Sequence, residues 1–99
     1  MSVSVLLEGV LKEGLVDEFV EICKGAYPVT RAYDGCKGIN LTLNVDDARN
    51  FVMTETWDSK EHYEKYLQWR VESGVLEDFS NKYVVEEPVW RYFDLVSEF

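Results

Sequence analysis

Basic residues are scarce in this sequence. Ten Lys and Arg stand against 19 Asp and Glu, for a net charge of −9. The basic residues form no patch, and their densest grouping is Arg31 with Lys37. Phosphate backbones and anionic membrane surfaces repel such a chain, so neither a nucleic acid nor a membrane is expected as a partner. Cysteine is scarce as well. Cys23 and Cys36 are the only two, and no C-x-x-C occurs. They read as small, reduced core side chains, which suits a cytoplasmic protein. His62 is the only histidine. One histidine and two distant cysteines do not supply zinc's four ligands, or three plus water, so no metal is expected. Gly35-Cys36-Lys37-Gly38 is a turn rather than a G-x-G-x-x-G fingerprint, so no cofactor is expected either, and no G-x-S-x-G elbow occurs to argue for covalent catalysis. Residues 1–7 lack a basic leader before Glu8, and no apolar run approaches the ~20 residues of a membrane span.

Hydrophobic residues make up 46% of the 99 positions and charged residues 29%, a globular composition. The length suits one domain spanning residues 1–99. A domain of that size buries only roughly 60–65% of its unfolded surface. A partner subunit would add burial.

Hydrophobic spacing divides the chain. Val3, Val5 and Leu7 alternate with Ser4, Leu6 and Glu8, which predicts a strand over 3–11. From Leu15 the apolar residues recur at three- and four-residue steps through Phe19, Cys23 and Tyr27, with Asp17, Glu18 and Glu21 opposite. That is an amphipathic helix, and Pro28 should kink or end it, with a continuation to Ala32 left open. Asp34-Gly35 marks a turn. Ile39, Leu41, Leu43 and Val45 form the cleanest alternation, and residues 46–50 read as a polar hairpin connection. The strand over 51–57 puts Phe51, Met53, Glu55 and Trp57 on one side and Val52, Thr54 and Thr56 on the other. Asp58 or Ser59 caps a second helix to about Ser73, with Tyr63, Tyr66, Leu67, Arg70 and Val71 near one stripe. Gly74 stops it. A short helix over 75–83, a Glu86-Glu87-Pro88 break and a strand over 89–96 close the sequence.

The order is β-α-β-β-α-β, with an extra helical piece before the last strand. That predicts an α+β, ferredoxin-like domain with an antiparallel sheet covered by helices on one face. The other face would carry Val52, Trp90 or Tyr92, depending on register. An uncovered apolar face implies a partner, and two such sheets packed face to face give a homodimer, a dimeric α+β barrel.

Glu55-Thr56-Trp57-Asp58-Ser59 resembles the E-x-W-x-S motif of the antibiotic biosynthesis monooxygenase family. Thr30-Arg31 with Gly35-Cys36 resembles that family's T-R…G-C segment, and Pro88 with residues 89–96 resembles its last strand. The resemblance implies the same fold. Among members are quinol oxidases, enzymes acting on oxidised signalling molecules, and haem-degrading enzymes. Members often carry a histidine on the second helix where this chain has Tyr66, and His62 lies one turn earlier. Haem-degrading members use a first-strand asparagine, where the corresponding position here is Leu7. The resemblance therefore points away from haem. Some cofactor-free members place an aromatic hydroxyl about six residues after the tryptophan, a spacing that Tyr63 fits.

Six residues are candidates for a site. Trp57 could form a flat wall for an aromatic ligand, or pack in the core. Glu55, an acid among apolar neighbours, would become a usable base if enclosed, or could pair with Arg31 or Arg91. His62 suits a general base, or a surface position in the first turn of a helix. Tyr63 and Tyr66 could hold a ligand oxygen or fill the core, and Asn40 is a further polar candidate. The expectation is a cofactor-independent monooxygenase with His62, Tyr63 and Glu55 as catalytic groups and Trp57, Tyr66 and Asn40 binding a small aromatic or quinol-type substrate. Two alternatives stay open: a non-catalytic barrel binding a small hydrophobic ligand, and an isomerase or lyase acting on a small carbonyl compound.

Overall fold

The structure is a computed structural model, and it describes residues 2–98. Its elements are β1 (Val3–Val10), α1 (Val16–Ala32), β2 (Cys36–Asn44), β3 (Asp47–Trp57), α2 (Lys60–Glu72), α3 (Val75–Tyr83) and β4 (Val89–Asp94). The strands form one antiparallel sheet in the order β2-β3-β1-β4. This is the ferredoxin-like α+β arrangement, with α3 added before the last strand.

Period-two patterning decides which side chains meet the helices. Val3, Val5 and Leu7 are buried from β1, and Phe51, Met53, Glu55 and Trp57 from β3. Val5 lies opposite Glu55 and Leu7 opposite Met53, so these residues share one face. Phe19 and Cys23 of α1 and Tyr63 and Tyr66 of α2 pack onto it. The core divides into two clusters. One gathers Leu7, Leu11, Phe19, Phe51 and Met53; the other gathers Val3, Val5, Trp57, Tyr63 and Tyr66. Each large side chain buried this way contributes about 1.5–3 kcal/mol.

The opposite face carries Leu6, Val52, Thr54, Val89 and Phe93. The register Leu7↔Trp90 and Val5↔Tyr92 turns Trp90 and Tyr92 toward the helices. Of the three residues proposed for the open face, only Val52 lies there. Phe93 is 49% exposed on it.

Several boundaries differ from expectation. Helix α1 runs through Pro28 to Ala32. Pro28 has no N–H for the carbonyl of Lys24, which removes one helical hydrogen bond. Beyond it, Thr30 is buried and hydrogen-bonded to Tyr66 at 2.8 Å and to Arg70 at 3.2 Å, which ties the last turn to α2. Strand β2 begins at Cys36 and β3 at Asp47, so residues 46–50 are not a loop. The turn is Val45-Asp46, where the Asp46 N–H donates to Asn44 Oδ1 at 2.9 Å. The polar residues after it remain extended because Asn50 bonds to Glu8 and Gly9 on β1. Strand β4 ends at Asp94, two residues early. Ser59 is the cap of α2, its Oγ accepting from the His62 N–H at 3.1 Å. Gly74, with φ 78°, takes the left-handed turn between α2 and α3.

Candidate functional site

A narrow pocket of about 70 Å³ opens between the sheet and the helices, and both core clusters contribute to its walls. Glu55 reaches it from β3, Tyr27 from α1, Tyr63 and Arg70 from α2, and Trp90 from β4. Most of the lining is apolar, so each polar atom there stands in a poorly solvated setting.

Strand alternation points Glu55 inward, where it is 5% exposed. Among the described residues its side chain accepts one hydrogen bond, from Trp57 Nε1 at 3.2 Å. Burial pushes its pKa up to about 7, against the weaker opposing effects of the Trp57 N–H and the Arg70 charge. Neither proposed partner reaches it. Arg31 donates to the Cys36 carbonyl at 2.7 Å, and Arg91 pairs with Glu8 at 3.2 Å. Glu55 is therefore an inward carboxyl that can give or take a proton near neutrality.

Trp57 is fully buried and does not face the pocket. Its ring packs behind Tyr63 and Tyr66, with centroids 5.6 and 5.0 Å away. The expectation of a flat wall against a ligand is corrected: Trp57 acts on the pocket through Glu55, whose carboxylate it orients.

Tyr63 and Tyr66 both line the pocket. The Tyr63 hydroxyl accepts from Trp90 Nε1 at 2.8 Å, which leaves its own proton to donate inward. Burial raises the Tyr63 pKa, so the phenol stays neutral. The Tyr66 hydroxyl is held between Arg70 Nε at 2.9 Å and Thr30 Oγ1 at 2.8 Å. It is a strut of a buried network more than a free hand for a ligand.

Two candidates lie elsewhere. His62 sits in the first turn of α2, its side chain 39% exposed, with Nδ1 2.6 Å from Ser59 Oγ and Nε2 3.9 Å from Asp34. Its ring lies on the backbone of Gly35, where an added Cβ would come within 2.6 Å of it. The helix start that Ser59 caps faces this turn, so His62 packs outside the pocket. Asn40 is exposed and pairs with Thr54 in the register of β2 and β3, on the open face of the sheet. Its neighbours Ile39 and Leu41 take the helix face instead.

Arg70, Tyr27 and Trp90 also line the pocket and are less legible in the sequence. Arg70 was visible as a cation on the inward stripe of α2, which is a signal in itself because lone charges are rarely placed on a core face. Tyr27 lay on the apolar stripe of α1 among ordinary core residues. Trp90 could be placed only once the pairing of β1 with β4 was known. Among the described residues, no group of three or more His, Cys, Asp or Glu could hold a metal ion, and no helix is long and apolar enough to cross a membrane.

A one-layer ferredoxin-like sheet with a helix-covered acid pocket defines a class of small α+β proteins. Within it, the chain belongs to the antibiotic biosynthesis monooxygenase family, whose model matches residues 3–79. Solved structures agree on the fold. A conserved protein from Methanosarcina mazei Go1 superposes with a TM-score of 0.83 at 16% identity, covering 94% of this chain and 91% of that one. A structure described as an antibiotic biosynthesis monooxygenase gives 0.81 at 15% identity, covering 96% and 99%. Rv0793 from Mycobacterium tuberculosis gives 0.77 at 16% identity, covering 99% and 98%. No curated protein sequence matches the chain.

Proposed function

We propose that the protein is a cofactor-independent monooxygenase acting on a small hydroxyaromatic or quinol-type substrate in the pocket beneath α1 and α2. The single observation that carries this reading is Glu55, a carboxyl enclosed in an apolar pocket and held by one indole N–H. A base with a pKa of about 7 is matched to abstracting a weakly acidic proton at neutral pH. The deprotonated substrate gives an electron to dioxygen, the two radicals combine as a peroxide anion, and the proton held by Glu55 returns to make the hydroperoxide. Loss of water then leaves a carbonyl. One oxygen atom enters the product, the other leaves in water, and the substrate supplies all the electrons. Tyr63 donates a hydrogen bond to the substrate oxygen as charge develops there. Trp57 orients Glu55, and the apolar lining keeps water from quenching the intermediate.

The working unit on this reading is a homodimer joined through the sheet face that carries Leu6, Val52 and Phe93. Two free, buried cysteines suit a reducing compartment, and we place the protein in the cytoplasm. Oxygen uptake measured across a panel of hydroxyaromatics tests the activity. Turnover should fall by about 10²-fold or more in Glu55→Gln, the usual weight of a general base. Absence of uptake with every compound would refute it. Melting shifts without chemical change would instead favour a binding protein, and turnover that persists without oxygen would favour an isomerase or lyase.

A further inference from the structure

Arg70 is nine-tenths buried. Among the described residues, no carboxylate oxygen lies within 4.0 Å of its guanidinium. Its Nε donates to the Tyr66 hydroxyl, and its Nη2 to Thr30 Oγ1 at 3.2 Å and to the Ala26 carbonyl at 3.4 Å. These acceptors are neutral. They fix the plane of the fork without balancing its charge, and Nη1 makes no hydrogen bond among the described residues. The flat faces of Trp69 and Tyr66, 4.8 and 5.5 Å from the guanidinium carbon, hold the group in place.

A buried cation without a counterion is disfavoured unless something else supplies the charge. Arg70 lines the same pocket as Glu55. Tyr27, on the same wall, has a buried hydroxyl with no oxygen or nitrogen partner among the described residues; only the Cys23 thiol, a weak partner, is beside it. A donor with only a thiol beside it and a cation in direct contact with no carboxylate, both beside one apolar cavity, describe a complementary ligand. From this pair we propose that the pocket takes an anionic ligand: a flat apolar body bearing one delocalised oxyanion, a carboxylate or an ionised enol or phenol, which Arg70 pairs and Tyr27 hydrogen-bonds. The inference rests on the reading of the pocket as a substrate site, and it names the charge that the substrate carries there. A planar fork suits a planar, two-oxygen acceptor better than a point charge would. Arg70 also sets specificity, because a neutral ligand would leave the cation buried and unmatched.

The test uses the full chain and two probes that differ in charge but hardly in shape, benzoate and benzamide. By calorimetry, benzoate should bind about tenfold tighter or more, the weight of a hydrogen-bonded charge. Arg70→Met should remove that preference, and Arg70→Lys should keep part of it. A third probe, 4-nitrophenol, separates the two sources of the oxyanion. Bound beside Arg70, it should show its yellow phenolate at a pH where the free compound is largely protonated, and Arg70→Met should abolish that colour. Benzamide binding as tightly as benzoate in the unaltered protein, with no phenolate colour, would overturn the inference and leave the pocket reading standing. Failure of every aromatic probe, charged or neutral, to bind would overturn both. If Arg70→Met does not fold, the comparison in the unaltered protein and in Arg70→Lys still decides.

Discussion

Replacing Glu55 with Gln should make the protein more stable in base and hardly change it in acid. The carboxyl has an ordinary value of 4.5 in the unfolded chain and about 7 in the folded one, with burial as the main cause. A raised folded value means that the folded state holds its proton longer. The favourable contribution of the protonated form is complete below pH 4.5 and fades as pH rises to about 7, where the folded carboxyl finally ionises. At roughly 1.36 kcal/mol per pH unit, the gap between those values amounts to about 3 kcal/mol. Glutamine keeps an acceptor oxygen for the Trp57 N–H and has no charge to lose. The stability difference between variant and parent should therefore be near zero at pH 4 and reach about 3 kcal/mol in favour of Gln above pH 8. In a domain of 99 residues that is a rise in Tm of roughly ten degrees or more. Urea titrations of both proteins from pH 4 to 9 give the difference curve directly, and every other titrating group cancels from it. Parallel curves would refute the reasoning, because they would mean that Glu55 ionises as freely in the folded protein as in the unfolded one.

Other outcomes follow from the same geometry. Tyr63→Phe and Trp90→Phe each break the 2.8 Å bond between the Tyr63 hydroxyl and the Trp90 indole. Each should cost about 1 kcal/mol, and the double variant less than the sum, as a thermodynamic cycle by chemical denaturation would show. His62→Ala should leave any oxygen uptake within about twofold of the parent, since the ring lies outside the pocket; a loss near the 10²-fold typical of a general base would restore it as the catalytic group. Phe93→Glu places a charge on the open sheet face and should give a monomeric mass by light scattering where the parent gives a dimer. A monomeric parent at micromolar concentration would contradict the dimer itself. Gly35→Ala forces a side chain onto φ 89° and against the His62 ring. It should destabilise the domain by about 1–3 kcal/mol in a thermal melt.

The fold was legible because alternation and helical spacing are written locally. Val3, Val5 and Leu7 announce their face without reference to any other strand, and so do Phe51, Met53, Glu55 and Trp57. Errors arose where a residue's place depends on a distant partner. Pro28 leaves the end of its helix open between a stop and a continuation to Ala32, and the choice is made by Thr30 beyond it, tied to Tyr66 and Arg70, 36 and 40 positions away. Residues 46–50 read as a loop, because the bonds that hold Asn50 in a strand go to Glu8 and Gly9. The candidate site was legible to the same degree. Glu55, Tyr63 and Tyr66 were placed inward by periodicity and do line the pocket. Asn40 takes the opposite side of its strand from Ile39 and Leu41, which face the helices. His62 stands out for its chemistry, but the Ser59 cap, bonded to its N–H and its ring, turns it outward.

The pairing that the molecule does not make is the most informative part of the site. Glu55 and Arg70 line one pocket, and an acid and a base buried together would ordinarily form an ion pair, since each alone is costly to bury. Here each is held by neutral groups instead: Glu55 by an indole N–H, Arg70 by two hydroxyls and a carbonyl. A direct pair would drive Glu55 well below the carboxyl range and cancel the Arg70 charge, which would leave neither a base near neutrality nor a cation for a ligand. On the proposed reading, keeping them apart leaves one able to take a proton and the other to hold the anion that results. A cycle that combines Glu55→Gln with Arg70→Met tests this. At pH 8 the Arg70→Met change should cost less when Glu55 is already Gln, because the charge of Arg70 then no longer eases the ionisation of its neighbour. Strict additivity would mean that the two groups do not share a field, and the account of the pocket as a matched acid and cation would fail.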